Sequence, residues 1–224
     1  MTVVVACRAA DGTLVFGSDR QYTSEDETHE GKKLLFSPIV NGVALMGMAA
    51  EDANRGFTRR NRLWLALKDI TFDRDPFIVL QETMEDSVGL APKNETPEEV
   101  EILCGIASED LPKPKLLGVF DRKPRDLDER AFCCIGSGAG AAAGFLRLAS
   151  KSLQSLRDAQ VAVCTSVWLA KRVDPRCGGL TDIWWLNQHS RGGELDVERI
   201  MDLETYIETS LLGTVTSWIA SAPL

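Results

Sequence analysis

Two turn signals in the first fifty residues constrain this chain more than any other feature. Asp11-Gly12 separates the apolar, β-branched runs 2–7 and 13–16, and Pro38 with Asn41-Gly42 separates 34–36 from 43–46. Asp-Gly and Asn-Gly between short apolar runs favour tight hairpins, so the chain is expected to open as four antiparallel strands in two hairpins. The stretch 22–31 between them is polar and acidic without periodicity and reads as a loop.

The pattern changes at Met48. Ala49, Ala53, Phe57, Leu63, Leu67 and Ile70 recur at three- and four-residue steps, the spacing of one helical face. A second amphipathic helix is expected after Pro76, then a loop over 91–99 and strands over 100–107, 115–121 and 131–135. Helices over 141–153 and 156–171, a strand or two with the first over 181–186, and a closing helix over 201–219 complete the order. Antiparallel strands with helices grouped in pairs exclude a doubly wound parallel sheet. They suit an α+β, four-layer αββα sandwich of two stacked antiparallel sheets flanked by helices.

Composition narrows the function. A chain of 224 residues, 44% hydrophobic and 26% charged, suits one domain spanning 1–224. A net charge of −8 gives no electrostatic support to nucleic-acid binding. Six cysteines without a Cys-x-x-Cys pair, and only His29 and His189, make a zinc site unexpected, and no cofactor motif stands out. The run of glycines at 136, 138, 140 and 144 follows antiparallel-looking strands rather than opening a βαβ unit, so it reads as close strand-to-helix packing rather than a dinucleotide fingerprint. With neither a basic leader nor an apolar run of spanning length, a cytoplasmic protein with reduced thiols and no membrane partner is expected. The basic residues Arg55, Arg59, Arg60 and Arg62 read as a solvated helical face.

Four residues in the opening stretch have complementary chemistry. Removal of Met1 would leave Thr2 with a hydroxyl nucleophile and an α-amine base on one residue. Such removal is expected where the second residue is small, without self-cleavage. A nearby cation would help free the amine, and Lys33 could supply it; a carboxylate, Asp19, would hold that lysine. Gly47, read at a strand-to-helix junction, could bring a backbone N–H to the oxyanion of an acyl-transfer intermediate.

In this order, Thr2-Val3-Val4-Val5-Ala6, Gly17-Ser18-Asp19-Arg20, Lys32-Lys33-Leu34 and Gly47-Met48-Ala49-Ala50-Glu51 resemble the β-type subunits of the proteasome. They are similar also to the bacterial proteasome-like threonine peptidase that works with an ATPase ring, both within the N-terminal-nucleophile hydrolase superfamily. Gly136-Ser137-Gly138 and the segment Asp174-Pro175-Arg176-Cys177-Gly178-Gly179 extend the likeness. The resemblance implies the same four-layer sandwich, Ser137 and Asp174 as partners of the terminal amine, and Cys177 near the site where a serine is usual. It implies a substrate side pocket of Gly31, Leu35, Leu45, Ala49 and Ala53, all uncharged, and hence a preference for apolar residues before the cut.

The resulting expectation is a threonine-type endopeptidase acting on peptides or unfolded protein, in a homo-oligomeric ring with a possible ATPase unfoldase partner. Two alternatives stay open: a catalytically silent structural ring subunit, and an acylase or amidase acting on a small amide.

Overall fold

The computed structural model describes residues 2–23, 28–68, 77–78, 81–82, 100–120, 123–189 and 191–221. Strands β1 (Val4–Arg8) and β2 (Leu14–Asp19) form the first hairpin, and β5 (Leu34–Ile39) and β6 (Gly42–Ala50) the second. Between them lies a short ribbon of β3 (Gln21–Thr23) and β4 (Thr28–Glu30). Helix α1 (Ala53–Leu67) follows, then β7 (Val100–Ser108), β8 (Lys115–Phe120), β9 (Lys123–Asp126) and β10 (Phe132–Ile135). Helices α2 (Ala139–Ala149) and α3 (Leu156–Val173) precede the hairpin of β11 (Thr181–Leu186) and β12 (Gly192–Glu194), and α4 (Val197–Ser221) closes the order.

The strands build two five-stranded antiparallel sheets, ordered β10-β1-β2-β11-β12 and β5-β6-β7-β8-β9. Period-two alternation sorts their side chains into three apolar layers. Val4, Ala6 and Phe16 of the first sheet meet Leu45, Leu103 and Ala107 of the second in the space between sheets. The alternate residues Val3, Val5, Cys7 and Val15 face outward against Ala142, Leu146, Val163 and Val167 of α2 and α3, with Ile200 and Ile207 of α4. On the far side Ala44, Met46, Met48, Ile102 and Cys104 pack against Leu63 and Leu67 of α1. The α+β four-layer sandwich expected from the sequence is the fold observed.

Local chemistry explains the joints. Gly12 takes φ +87°, and Ala9 N–H bonds Thr13 O at 2.9 Å, so the first hairpin turns through a left-handed glycine in a three-residue loop. In the second, Asn41 supplies the positive φ (56°) between Ile39 and its partner Gly42. Ser155 and Asp158 form a reciprocal capping box that starts α3. All six cysteines are free, and five of them are buried. Burial pushes the thiols of Cys7, Cys104 and Cys164 up to about 12.

The ribbon β3–β4 replaces the loop read over 22–31. Its β4 residues are all exposed, so nothing in its sequence alternates against a core. The strand β9, which carries Pro124 and three charged residues, was likewise not foreseen, and β12, which reads Gly-Gly-Glu, was allowed for but not placed. α1 begins at Ala53 rather than at Met48, because β6 continues to Ala50. The helix expected after Pro76 and the loop expected over 91–99 lie outside the described residues, apart from helical positions 77–78 and 81–82. Among the described residues no helix is long and apolar enough to cross a membrane.

At one end the Arg8 guanidinium donates to Gly12 O at 3.2 Å and Pro114 O at 2.9 Å, and pairs with Asp128 at 2.6 Å, tying the β1–β2 hairpin to the other sheet. Burial pushes the Asp128 carboxyl up, but Lys113, Arg8 and Lys115 outweigh it and hold the group below its ordinary 3.8. Its ionised form therefore contributes stability in full above that ordinary value, and this is lost as pH falls through the lower folded one. In urea titrations Asp128→Asn is expected to be less stable than wild type at pH 7, with the two curves converging towards pH 2. A second expectation concerns Gly17, where an added Cβ would sit 2.3 Å from Val163 Cγ1. Gly17→Ala is expected to lose about 1–3 kcal/mol of stability, and Gly17→Ala with Val163→Ala less than the sum of the two single losses.

Candidate active site

The first hairpin brings Thr2 and Asp19 together, since β1 begins just after Thr2 and β2 ends at Asp19. The return of the chain through β3 and β4 places Lys33 beside them, at the entry to β5. All three are buried, Thr2 3% exposed and Asp19 and Lys33 fully enclosed. The Thr2 hydroxyl donates to Asp19 Oδ1, which also accepts from Val3 N–H at 2.9 Å. Lys33 Nζ donates to Thr2 Oγ1, to Asp19 Oδ1 at 2.8 Å and to Gln21 O at 2.5 Å. An ammonium has three protons, and each finds an acceptor here. Burial pulls the Lys33 pKa below its ordinary value, and Asp19 opposes that pull.

The surroundings of this cluster hold residues the sequence reading missed. Gly178 N–H donates to Asp19 Oδ2 at 3.0 Å, while Gly178 O accepts from Arg20 N–H and Gln21 N–H at 3.2 and 3.1 Å. The Tyr22 ring lies 4.8 Å from Lys33 Nζ and 5.3 Å from the Phe57 ring. Arg60 is not part of a solvated face. It is 7% exposed, donates to Lys33 O at 3.0 Å and stacks on Phe57. Its place among four arginines on one helix was its only sequence signal. The Gln21 carbonyl and the Gly178 amide are backbone groups, so no side-chain type announced them. Arg20 pairs with the buried Asp182 of β11 at 2.5 Å, which fixes the end of β2.

The turn 136–138 closes over Thr2. Gly138 N–H donates to Thr2 O at 3.3 Å, and Gly136 N–H to the Glu101 carboxylate at 2.8 Å. Gly136 takes φ +87°, and a Cβ there would lie 2.1 Å from Thr2 O, so only glycine fits. Gly140 and Gly144, in contrast, have open space where a Cβ would go, so the expected packing role holds for Gly136 and Gly138 alone.

Ser137 and Asp174 meet beside this turn. Burial pushes the Asp174 carboxyl up, but the Ser137 hydroxyl and Arg176 outweigh it and hold it below its ordinary value. Ser137 Oγ and Asp174 Oδ2 are nevertheless buried atoms that satisfy no well-formed hydrogen bond. Cys177 is 4% exposed, packs against Gly138 and has its thiol pushed up to about 12 by burial, with Asp19 and Asp174 adding to it. That thiol is a packing group rather than a nucleophile.

Gly47 departs from expectation. It lies inside β6, opposite Leu34 of β5 and Leu103 of β7, and not at a strand-to-helix junction. With antiparallel partners on both sides, its N–H points at one of them, and its Cα faces Val4 and Leu34. β6 runs on past Leu34, where β5 begins, so Met48 and Ala49 have no β5 residue opposite them. The five residues expected in a side pocket are likewise divided. Leu45 and Ala49 are buried between the sheets, Leu35 packs on the α1 side, Gly31 faces Tyr22 and Ala53 opens α1. Alternation along β5 and β6 separates them. Ala49 stays near the cluster, 3.1 Å from where a Cβ on Gly136 would lie.

No protein-family model matches the chain, and no curated protein matches it. Solved structures do. Anbu from Pseudomonas aeruginosa, in a structure described as the helical assembly of the Anbu complex, aligns with TM-score 0.77 at 16% identity, covering 99% of this chain and 98% of that one. Anbu (ancestral beta-subunit) from Yersinia bercovieri aligns with TM-score 0.76 at 15% identity over 99% and 98%. The Anbu (Gly-1) mutant from Hyphomicrobium sp. strain MC1 gives 0.74 at 17% over 97% and 99%. These matches correct the resemblance read from the sequence: the chain shares its fold with Anbu, the ancestral type of β-subunit, and the assignment to proteasome β-type subunits or the ATPase-linked bacterial peptidase is withdrawn. At such identities the likeness is one of fold, and the fold is the N-terminal-nucleophile hydrolase sandwich.

Proposed function

We propose that this chain, as one domain, is a threonine-type N-terminal-nucleophile hydrolase that cleaves peptide bonds with Thr2 once Met1 is removed. The observation that carries this reading is the enclosed contact of the Thr2 hydroxyl with both Asp19 and Lys33. A buried ion pair is poor value as a stabiliser, because well-packed apolar side chains of similar volume do as well or better. Placing one against a hydroxyl at the chain's second residue makes sense as chemistry.

In the mechanism we propose, the Thr2 hydroxyl attacks the scissile carbonyl carbon. Its proton passes to the freed α-amine, directly or through a water, and from there to the leaving amine as the C–N bond breaks. Lys33 keeps the local potential positive, which favours the neutral amine and the attacking oxygen, and Asp19 holds Lys33 in place. Ser137 Oγ and Asp174 Oδ2, buried and poorly satisfied, are the partners offered to that amine. The oxyanion donor in this reading is a backbone N–H of β6 at or just beyond Gly47, where pairing with β5 ends. Water then releases the acyl group from Thr2. A preference for apolar residues before the cut stays part of this reading, supported by the buried, uncharged Ala49 close to the cluster. Assembly with further copies of itself is part of this reading, supported by the helical assembly described for the Pseudomonas aeruginosa Anbu.

Intact mass before and after treatment with a peptide epoxyketone tests the proposal directly. Loss of Met1 and a single adduct on Thr2 are expected, with peptides ending in Leu or Phe cleaved faster than those ending in Arg or Asp. Retained Met1 with no adduct would leave a silent structural subunit, and turnover confined to small amides would make the protein an acylase. Stability and activity should also separate. Lys33→Met alone strands a buried carboxylate and is expected to cost about 3–5 kcal/mol, whereas Asp19→Leu with Lys33→Met recovers most of that loss and remains inactive.

A further inference from the structure

Asp19 is held from two directions, and the second leads to the outer helices. Its Oδ1 faces Thr2 and Lys33, but its Oδ2 accepts from Gly178 N–H at 3.0 Å, in the segment linking α3 to β11. The next residue, Gly179, sits at φ +66°, and its carbonyl accepts from Lys171 Nζ at 3.0 Å. The same ammonium donates to Thr181 Oγ1 at 3.0 Å and to Glu204 Oε1 at 2.7 Å, and the Thr181 hydroxyl donates to Glu204 Oε1 at 2.6 Å. Lys171 lies in the last turn of α3 and Glu204 on α4. Both side chains are mostly covered, 14% and 21% exposed.

We infer that Lys171 and Glu204 are positioning residues for the active site, acting through the Gly178–Gly179 segment on the Asp19 carboxylate. The contacts are joined through two residues of backbone: Glu204 orients Lys171 and Thr181, Lys171 holds the Gly179 carbonyl, and Gly178, the residue before, presents its N–H to Asp19. With three acceptors for its three protons, Lys171 has one preferred orientation. Loss of the Glu204 charge frees it and lets the segment move. A carboxylate that loses one donor also loses the register in which it holds Lys33 and Thr2, and small displacements of a nucleophile weaken catalysis steeply. α4 thereby becomes part of the site without approaching Thr2. A second pair between the same helices, Arg172 with Glu208, is half exposed and bonds neither Gly178 nor Gly179 among the described residues, so it serves as the internal control.

The inference extends the peptidase reading above and rests on it for its kinetic arm, but not for its structural one. Hydrogen exchange at the Gly178 amide is compared in wild type, Glu204→Gln, Lys171→Met and Glu208→Gln, with α4 and β11 amides as reference. Glu204→Gln and Lys171→Met are expected to speed exchange at Gly178 about tenfold while the reference amides keep wild-type rates. Glu208→Gln should change neither. Where wild type cleaves peptides, the first two variants should lower kcat about tenfold with KM within about twofold of wild type. Unchanged exchange at Gly178, or equal acceleration throughout α4, overturns the inference. A wild type that cleaves nothing while the exchange pattern holds overturns the peptidase reading and leaves the positioning network standing.

Discussion

The Asp19 carboxylate is the group around which this molecule is arranged. It lies in the dry interior and receives the Thr2 hydroxyl, the Val3 amide, the Lys33 ammonium and the Gly178 amide. A buried charge is tolerable only when its lone pairs are met, and meeting these requires three separate segments to converge on it. The first hairpin supplies two of the donors, the entry to β5 the third and the turn after α3 the fourth. Each sheet layer and helix pair can be seen as fixing one of those arrivals.

Much of this was legible in the sequence because the sheets are two-faced. Turn residues at Asp11-Gly12 and Asn41-Gly42, with alternating apolar positions between them, announced the hairpins, and the three- and four-residue steps announced the helices. What escaped or went unplaced were elements that bury little: β4, whose residues are all exposed, the Gly-Gly-Glu strand β12, and the proline-bearing edge strand β9. Without a core to face, a strand has no periodicity to read.

The site was legible in its side chains and opaque in its backbone. Thr2, Asp19 and Lys33 come together as their chemistry suggested, and Ser137 lies against Asp174. Gly47 lies inside a strand and not at a strand-to-helix junction, because sequence spacing does not say where a strand ends, and β6 runs three residues past it. Arg60 was hidden by its neighbours: among four arginines on one helix, nothing in the sequence marks the one that turns inward. The family resemblance was misplaced for a related reason. The motif residues carried the resemblance to one family, while the fold comparison points to Anbu.

The thiols have a practical consequence. Six free cysteines in one chain usually call for constant reductant and preclude site-directed labelling. Here five lie in the interior, and burial suppresses thiolate at every one of the six positions. A single cysteine introduced on the exposed face of α4 would stand alone in reactivity towards maleimide dyes. Fluorescent reporters could then be attached to the native background without first removing any cysteine from it.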